Sequence, residues 1–214
     1  MAFLDDVKSK IHRVTAYHLT HIDNLPAIFS ENALISKEEI ISRKVTFTDI
    51  SIPEVQTRRH EKTVYGLDLH QYVPFYFGAK TPMVAVNNDK QDNIVFLQFS
   101  LEILQTKGCV ISDGNAASSN TKFNVFSGVE SLSFLDLKAI ASSRYANNSE
   151  MKRKKQAEVL IPHQMPLQQM LRILVLSEST RLIVLAHARA NAKITPQVIV
   201  SPGWYFLQNQ EGRK

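Results

Sequence analysis

The chain has 214 residues, of which 44% are hydrophobic and 21% are charged, and this ordinary composition predicts one folded domain over residues 1–214. Its single cysteine, Cys109, excludes an intrachain disulfide and a zinc site of paired cysteines, while the formal charge of +5 suits a nucleic-acid partner or solubility alone. The sequence contains no apolar run of about 18 residues and no signal-peptide core, so we expect a cytoplasmic protein that does not associate with a membrane.

Local signals in the first 60 residues mark the starts of helices. Pro26 follows Asp23 and Asn24, the order expected of an N-cap and a proline in the first helical turn. Ser36 stands three residues before Glu39, which is capping-box spacing. With hydrophobic spacing, these signals predict helices over 3–13, from 24, from 36 and over 54–60, and a strand over 14–20.

Residues 70–83 (HQYVPFYFGAKTPM) combine four aromatic side chains with a proline in their midst. Aromatic residues favour strands, whereas Pro74 cannot donate a hydrogen bond to a neighbouring strand. We therefore predict an edge strand or a bulged strand here. Its aromatic rings either stack on a planar ligand, such as nicotinamide, adenine or a nucleobase, or only pack in an irregular core.

The remainder of the chain predicts strands and short helices, without repeats, a GxGxxG fingerprint or a P-loop. Few of the strands stand in βαβ order, so the pattern favours an α+β fold. The predicted strands cover 83–86, 94–99, 109–112, 156–162, 173–176, 197–200 and 204–207. The predicted helices cover 100–105, 132–140 and 178–190, while 113–125 is a loop and 146–155 a loop or the entry to a helix.

Three charged residues are candidates for chemistry. Glu158 lies in the apolar run QAEVLIP, where a carboxylate is costly unless it is paired or has a task; the alternative is a strand-end glutamate that faces solvent. Arg58 and Arg59 are able to clamp a phosphate or a carboxylate through two hydrogen bonds, or they simply end a helix in water.

Other reactive residue types give weaker signals. His18 and His21 lack a third ligand, so we expect no metal site; His18 is either buried or able to hydrogen-bond a ribose. No G-x-S-x-G elbow is present, and Cys109 lies in an apolar run where thiols are inert. Basic residues form two clusters that follow a phosphate backbone or belong to solvated turns: Arg58, Arg59, His60 and Lys62, and Lys152, Arg153, Lys154 and Lys155.

Four motifs along the chain resemble those of the DarT family, the DNA ADP-ribosyltransferase toxins of bacterial toxin–antitoxin pairs. They are YHLTH followed by DNLP within 17–26, HQYVPFYF with Pro82-Met83 in 70–83, QAE at 156–158 and GWYF at 203–206. The resemblance implies an ADP-ribosyltransferase fold, which is a split, mainly antiparallel β core with surrounding helices, and NAD bound as co-substrate in the central cleft. It also implies transfer of ADP-ribose to a base nitrogen of single-stranded DNA, and a macrodomain antitoxin as a partner.

The resemblance further implies roles for individual residues. Glu158 corresponds to the catalytic glutamate, which would stabilise the positive charge that develops on the ribose. Arg59, or else Arg58, corresponds to the arginine that precedes YVPFYF. The implied NAD contacts are His18, Thr20, Asn24, Arg58, Tyr76 and Met83, and the implied DNA contacts are Asn115, Lys152, Arg153 and Lys154.

One loop departs from the family. Some members have an aspartate–histidine pair after the middle strand, where this chain has Ser112-Asp113-Gly114-Asn115. The loop belongs to the DNA-facing side, so the target base, thymine or guanine, stays open. Transfer to RNA or protein on the same fold, and a catalytically silent nucleic-acid-binding module, are the alternative functions; the presence of Glu158 argues against the silent module.

Overall fold

The computed structural model describes residues 5, 15–142, 145, 147–193 and 195–206. The strands are β1 Ala16–His21, β2 Ala33–Ile35, β3 Thr63–Val64, β4 Leu67–Asp68, β5 Tyr72–Tyr76, β6 Ile94–Phe99, β7 Val110–Ser112, β8 Phe123–Val125, β9 Glu158–Pro162, β10 Gln164–Pro166, β11 Met170–Val175 and β12 Val198–Val200. The α-helices are α1 Leu25–Glu31, α2 Lys37–Ser42, α3 Pro53–His60, α4 Pro82–Val86, α5 Leu137–Ala141, α6 Ser149–Lys154 and α7 Glu178–Asn191. The helix predicted over 3–13 falls, apart from Asp5, outside the described residues.

The described strands form an eight-stranded sheet in the order β12-β11-β6-β1-β5-β9-β7-β8, together with two small ribbons, β10 with β2 and β3 with β4. Pairing is antiparallel except between β11 and β12, which α7 connects as a parallel crossover. The α+β class and the mainly antiparallel core predicted from the sequence are confirmed. No described helix has the length and apolar character that crossing a bilayer requires.

Strand β6 shows that both faces of the sheet are covered. Nearly all of its residues are buried, without the alternation of a sheet that has one face in water. Val95, Leu97 and Phe99 join one core cluster, and Phe96 joins a second, with Tyr205, on the other face. This two-sided core packs the central strands, and the candidate site lies beside β1 and β5 of the same sheet.

The sheet splits between β1 and β5. Strand β1 pairs with β6 along its whole length, but with β5 it forms a single pair, Tyr17 opposite Tyr76. Strand β5 instead pairs fully with β9, from Tyr72 opposite Pro162 to Tyr76 opposite Glu158. The split opens a cleft within an otherwise continuous sheet.

This split corrects the prediction of an edge or a bulged strand for residues 70–83, because β5 pairs with β9 in a register without a shift. Strand β5 lies inside the sheet. The carbonyl of Pro74 faces the split, and its nitrogen points to the same side, so no neighbouring strand lacks a hydrogen bond from the missing N–H. The Pro74 carbonyl accepts a hydrogen bond from Nδ1 of His18 at 2.9 Å, where an intact sheet would have a strand neighbour. The proline therefore marks the position of the cleft.

Three other local predictions are wrong. Residues 83–86 belong to helix α4, because Pro82 occupies the first helical turn and has a backbone suited to it. In the strand predicted over 204–207, Trp204 ends the 3₁₀ turn Pro202–Trp204, residues 205 and 206 belong to no strand, and residue 207 lies outside the described residues. Part of the loop predicted over 113–125 is strand β8, which pairs with β7 at the edge of the sheet.

Candidate active site

The two candidate catalytic residues contact one another. Glu158 is the first residue of β9, and Arg59 lies in the last turn of α3. Nη1 of Arg59 donates to Oε2 of Glu158 at 3.0 Å and to Oε1 at 3.3 Å. Glu158 is 1% exposed and Arg59 is 8% exposed, so each charge compensates the other in a place that water scarcely reaches.

A backbone donor completes the surroundings of the Glu158 carboxylate. The N–H of Ala116 donates to Oε1 at 2.8 Å, and the N–H of Glu158 itself donates to Oγ of Ser112 at 3.0 Å. Ala116 belongs to the segment 113–121, between β7 and β8. Charge-assisted hydrogen bonds of this kind fix the direction of a carboxylate, so the segment and β9 together set where the carboxylate points.

A cavity at the split brings most of the predicted NAD contacts together. Its lining includes Thr20, Asn24, Arg59, Met83, His18 and Tyr76, which come from β1, its following turn, α3, α4 and β5. Glu158 is not among the lining residues; Arg59 is, and it joins the cavity to the buried carboxylate. Arg58 does not line the cavity: it is exposed, and its Nε donates to the carbonyl of Glu54 at 3.3 Å.

His18 presents an acceptor to the cavity. Burial lowers the pKa of His18 to about 4, against a smaller raising effect of the Pro74 carbonyl, so the ring is neutral near pH 7. Since a carbonyl only accepts, Nδ1 carries the proton in the hydrogen bond to Pro74. The Nε2 atom is then a hydrogen-bond acceptor, suited to a hydroxyl donor.

Tyr76 stands opposite Glu158 in the β5–β9 pairing and also lines the cavity. Burial raises the pKa of Tyr76, and the Glu158 carboxylate raises it further. Its hydroxyl therefore stays protonated and serves as a hydrogen-bond donor beside the carboxylate.

Asn24 builds the cavity more than it offers groups to a ligand. Its Oδ1 accepts from the N–H of Thr48 at 2.7 Å, and its Nδ2 donates to the Thr48 carbonyl at 2.9 Å and to Oγ1 of Thr20 at 3.0 Å. These bonds clamp the segment 45–51 onto β1 and α1. That segment forms a wall of the cavity, so Asn24 acts by holding the wall in place.

Neither this wall nor its support was predicted from the sequence. Lys37 donates to Oδ2 of Asp49 and to Oε1 of Gln56, both at 2.8 Å, and Nε2 of His70 lies 2.8 Å from the same Gln56 oxygen. Burial lowers the pKa of His70 to about 4, and the Lys37 and Arg59 charges contribute. No local pattern predicts these residues, because their partners come from separate elements.

One donor of Arg59 is left over. Its Nη2 atom is buried and has no hydrogen-bond partner among the described residues, whereas its Nη1 atom holds Glu158. An unpaired buried donor is costly, and here it belongs to a residue that lines the cavity. A ligand that carries phosphate or carbonyl oxygens would satisfy it.

The predicted DNA contacts separate into different environments. Nη1 of Arg153 donates to Oδ1 of Asp113 and Nη2 to Oε1 of Glu150, both at 2.7 Å, and the residue is 9% exposed. Lys154 pairs with Asp136 at 3.1 Å. Only Lys152 of the three is exposed and without an ion pair within the described part of the chain.

Two of the predicted DNA contacts, Asn115 and Arg153, form hydrogen bonds within the protein. Asn115 donates from Nδ2 to Oε1 of Gln156 at 3.2 Å and accepts from the Ala117 N–H at 2.9 Å, so it shapes its own loop. Arg153 likewise forms ion pairs with two carboxylates, those of Asp113 and Glu150. It is buried and stabilises the segment 113–121. Charge along the sequence does not reveal such pairing, because Asp113 lies 40 residues from Arg153.

Within the described residues, no group of three histidine, cysteine or carboxylate side chains is arranged to hold a metal ion. The chemistry available is that of a buried carboxylate beside a guanidinium, next to a cavity with acceptors and donors for hydroxyl and phosphate groups. Such a carboxylate is able to stabilise positive charge that develops on a sugar, and to accept a proton.

Comparison with known proteins gives consistent matches. The model of a family described as "ssDNA thymidine ADP-ribosyltransferase, DarT" matches residues 17–206. A solved structure of Thermus sp. 2.9 DarT in complex with ADP-ribosylated ssDNA is 30% identical with a TM-score of 0.81, over 89% of this chain and 95% of that chain. The same Thermus protein in complex with NAD+ is 29% identical with a TM-score of 0.75, over 91% and 98%.

One longer relative is named as a fusion of two enzymes. The DNA ADP-ribosyl transferase-DNA ADP-ribosyl glycohydrolase fusion protein of Thermosipho africanus is 28% identical over 200 residues. The match covers 91% of this chain and 50% of that protein. The present chain is thus similar to about half of the fusion.

Proposed function

Because the chain belongs to the DarT family of single-stranded-DNA thymidine ADP-ribosyltransferases, we propose that Glu158 and Arg59 are its catalytic pair and that the cavity at the split binds NAD. The chain is an NAD-dependent DNA ADP-ribosyltransferase with single-stranded DNA as its acceptor, and by its family it is the toxin of a toxin–antitoxin pair. The observation that carries the assignment of residues is the position of Arg59, which lines the cavity and donates from Nη1 to the Glu158 carboxylate.

The cavity residues suit the chemical groups of NAD, which supplies the ADP-ribose and carries nicotinamide as the leaving group. The unpaired Nη2 atom of Arg59 suits a phosphate oxygen, as guanidinium groups do generally. Nε2 of neutral His18 is an acceptor for a ribose hydroxyl. Tyr76 and Met83 supply an aromatic and an apolar surface on the cavity wall, while Asn24 holds the segment 45–51 that closes the other side.

Glu158 performs two tasks in this proposal. Its carboxylate stabilises the positive charge that develops on the ribose as the bond to nicotinamide breaks. It then accepts the proton that the base nitrogen gives up when that nitrogen bonds to the ribose carbon. A base in single-stranded DNA reaches the site without extraction from a duplex stack.

We propose thymine as the base, on the strength of the family description. The loop 112–115 lacks the aspartate–histidine pair that some members have, but Oγ of its Ser112 accepts from the N–H of Glu158 and the next residue after the loop, Ala116, donates its N–H to Oε1 of Glu158. Choice of base therefore rests on groups other than that pair. Lys152 is the proposed contact to the DNA backbone, with Lys154 a weaker candidate because Asp136 already pairs with it.

The partners follow from the same family context. A DNA ADP-ribosyl glycohydrolase is fused to the transferase in the Thermosipho relative, and we propose a separate macrodomain of that activity as the antitoxin of this chain. We also propose that residues 1–214 form one domain and act in the cytoplasm, where both NAD and DNA are found.

Mass spectrometry of modified oligonucleotides tests the proposal. Two single-stranded oligonucleotides are incubated with the protein and NAD: one has a single thymine among adenines and cytosines, and the other has a single guanine at the same position. We expect ADP-ribose on the thymine oligonucleotide alone, and none with Glu158→Gln. Modification of the guanine oligonucleotide alone would overturn the choice of base, and transfer only to RNA or protein would overturn the acceptor.

A further inference from the structure

Lys62 supports the catalytic carboxylate from outside the cavity. It follows α3, three residues beyond Arg59, and its side chain reaches the segment 113–121. Its Nζ atom donates to the carbonyl of Ala116 at 2.9 Å and to that of Ser118 at 2.6 Å, and it lies 4.8 Å from the centre of the Phe123 ring. Lys62 thus binds the carbonyl of Ala116, the residue whose N–H donates to Glu158.

The surroundings of Lys62 place its charge close to the catalytic pair. Burial lowers the pKa of Lys62; the Glu158 carboxylate counteracts this shift, and the Arg59 charge adds to it. Two backbone carbonyls already accept from its ammonium group. Its geometry is therefore that of an internal tether, in contrast to the exposed Lys152.

The opposite side of the segment is held by Arg153. Its carbonyl accepts from the N–H of Asn115 at 3.0 Å, and its guanidinium binds Asp113 and Oγ1 of Thr121. Gly114 packs so tightly that a Cβ atom there would lie 2.9 Å from the Arg153 carbonyl oxygen and closer still to Nη1. The segment is therefore fixed from two sides, with Ala116 between them.

We propose that Lys62 is a positioning residue for catalysis: by holding the Ala116 carbonyl, it keeps the Ala116 N–H on Oε1 of Glu158. The reason lies in the sharing of Arg59. When part of the Arg59 guanidinium turns to a substrate oxygen, the carboxylate loses some of its constraint from that side. The Ala116 N–H then becomes the main group that keeps Oε1 in its direction. This inference rests on the proposed role of Glu158.

Steady-state kinetics of Lys62→Met test the inference, with Lys62→Arg as the conservative variant and Lys107→Met as the matched control. Lys107 is exposed, so its variant removes one positive charge and leaves the contact of Lys62 with the Ala116 carbonyl in place. We expect Lys62→Met to lower kcat by about tenfold or more, with KM for NAD and for DNA changed less than about threefold, because a misdirected carboxylate fails in the transition state. Lys62→Arg should recover part of the loss, and Lys107→Met should behave as wild type.

Three results would overturn the inference. A kcat of Lys62→Met within about twofold of wild type would show that the tether is dispensable. A rise confined to KM for DNA, together with a weaker salt dependence of binding, would make Lys62 a phosphate contact instead. An equal loss of kcat in Lys107→Met would show that the lower kcat of Lys62→Met comes from the change in net charge.

A second variant approaches the same segment from the Arg153 side. Gly114→Ala should displace the loop through its clash with the Arg153 carbonyl, and we expect the same fall in kcat with little change in KM; a wild-type kcat would count against the inference. Thermal unfolding and NAD binding establish that each variant is folded. Glu158→Gln distinguishes the proposed function from the role of Lys62. A fully active Glu158→Gln would contradict the proposed function. An inactive Glu158→Gln together with a fully active Lys62→Met would contradict only the role of Lys62.

Discussion

Arg59 donates from Nη1 to both carboxylate oxygens of Glu158, a residue 99 positions further along the chain. The contact joins the end of helix α3 to the start of strand β9. Arg59 also lines the cavity, whereas Glu158 is 1% exposed and does not, so Arg59 connects the carboxylate to the proposed NAD site. In the proposed mechanism, Arg59 shares its donors between Glu158 and the substrates.

Replacement of Arg59 should impair transfer, because it removes both the partner of Glu158 and the buried donor Nη2, which has no hydrogen-bond partner among the described residues. We expect Arg59→Ala to lower the rate of ADP-ribose transfer by at least about tenfold, which corresponds to about 1.4 kcal/mol. The transfer rate of Arg59→Lys should lie between those of wild type and Arg59→Ala, since lysine keeps the charge but not the planar guanidinium. Arg58→Ala is the matched control: Arg58 is exposed and bonds its own helix, so near-normal activity is expected. The reverse order of the two alanine variants would move the role to Arg58.

Asn24 should affect NAD binding more than chemistry, because its amide clamps Thr48 in the cavity wall. We expect Asn24→Ala to raise KM for NAD by about tenfold while kcat changes less, the pattern of lost ground-state binding. Asn24→Asp keeps the acceptor for the Thr48 N–H and loses the donors, so a smaller rise is expected. A loss confined to kcat would contradict the clamp.

Arg153 and Lys152 are adjacent in the sequence but should respond differently to substitution. Arg153→Met leaves Asp113 without its partner, and we expect the free energy of unfolding to fall by about 2 kcal/mol, less than for a fully buried pair because Glu150 is half exposed. Urea denaturation measures this change.

Lys152→Met should leave stability unchanged, because Lys152 is exposed. We expect weaker binding to single-stranded DNA of any sequence, with the slope of log K against log salt reduced by about 0.7 for one lost phosphate contact. Fluorescence anisotropy over a range of salt concentrations provides the slope. An unchanged slope would remove Lys152 from the DNA interface.

Stability should depend on pH through the buried histidines. The pKa of His18 is about 4 in the folded chain, against an ordinary value of 6.5, so the unfolded chain binds more protons between these values. Stability from neutral His18 is therefore fully present above pH 6.5 and is lost as the pH falls towards 4. His70 acts in the same direction.

Urea denaturation at a series of pH values tests the contribution of His18. His18→Gln retains a donor for the Pro74 carbonyl but does not titrate, so we expect a flatter dependence of the unfolding free energy between pH 6.5 and 4. An identical slope in wild type and variant would show that His18 is not buried in its neutral form.

Local signals account for much of the secondary structure. Ser36 caps α2 as predicted, since its Oγ accepts from the N–H of Glu39, and β1 and α7 lie where hydrophobic spacing indicated. Pro74 is the instructive failure: a proline argues against an interior strand only while the sheet is continuous. Here the sheet divides beside it, and no local pattern contains that information.

Part of the candidate site was indicated by sequence motifs, and the rest depends on tertiary contacts that no motif shows. His18, Tyr76 and Glu158 belong to segments whose resemblance to a family indicated a cleft. The wall of that cleft was not predictable, because Asn24 reaches Thr48 through a side-chain bond and Lys37 reaches Gln56 from another helix. The DNA contacts predicted in the basic cluster 152–155 stay a prediction, and the ion pairs of Arg153 with Asp113 and Glu150 and of Lys154 with Asp136 are tertiary and local contacts that charge counting alone does not reveal.

The most direct test of the account is the transfer of labelled ADP-ribose from NAD to single-stranded DNA by Glu158→Gln, a variant that keeps the size and one acceptor oxygen of the side chain but removes its charge. We expect the variant to bind NAD and DNA as wild type does and yet to transfer label at least about a thousandfold more slowly, a deficit of about 4 kcal/mol in transition-state stabilisation. Transfer at a rate close to that of wild type would contradict the assignment of Glu158 as the catalytic carboxylate.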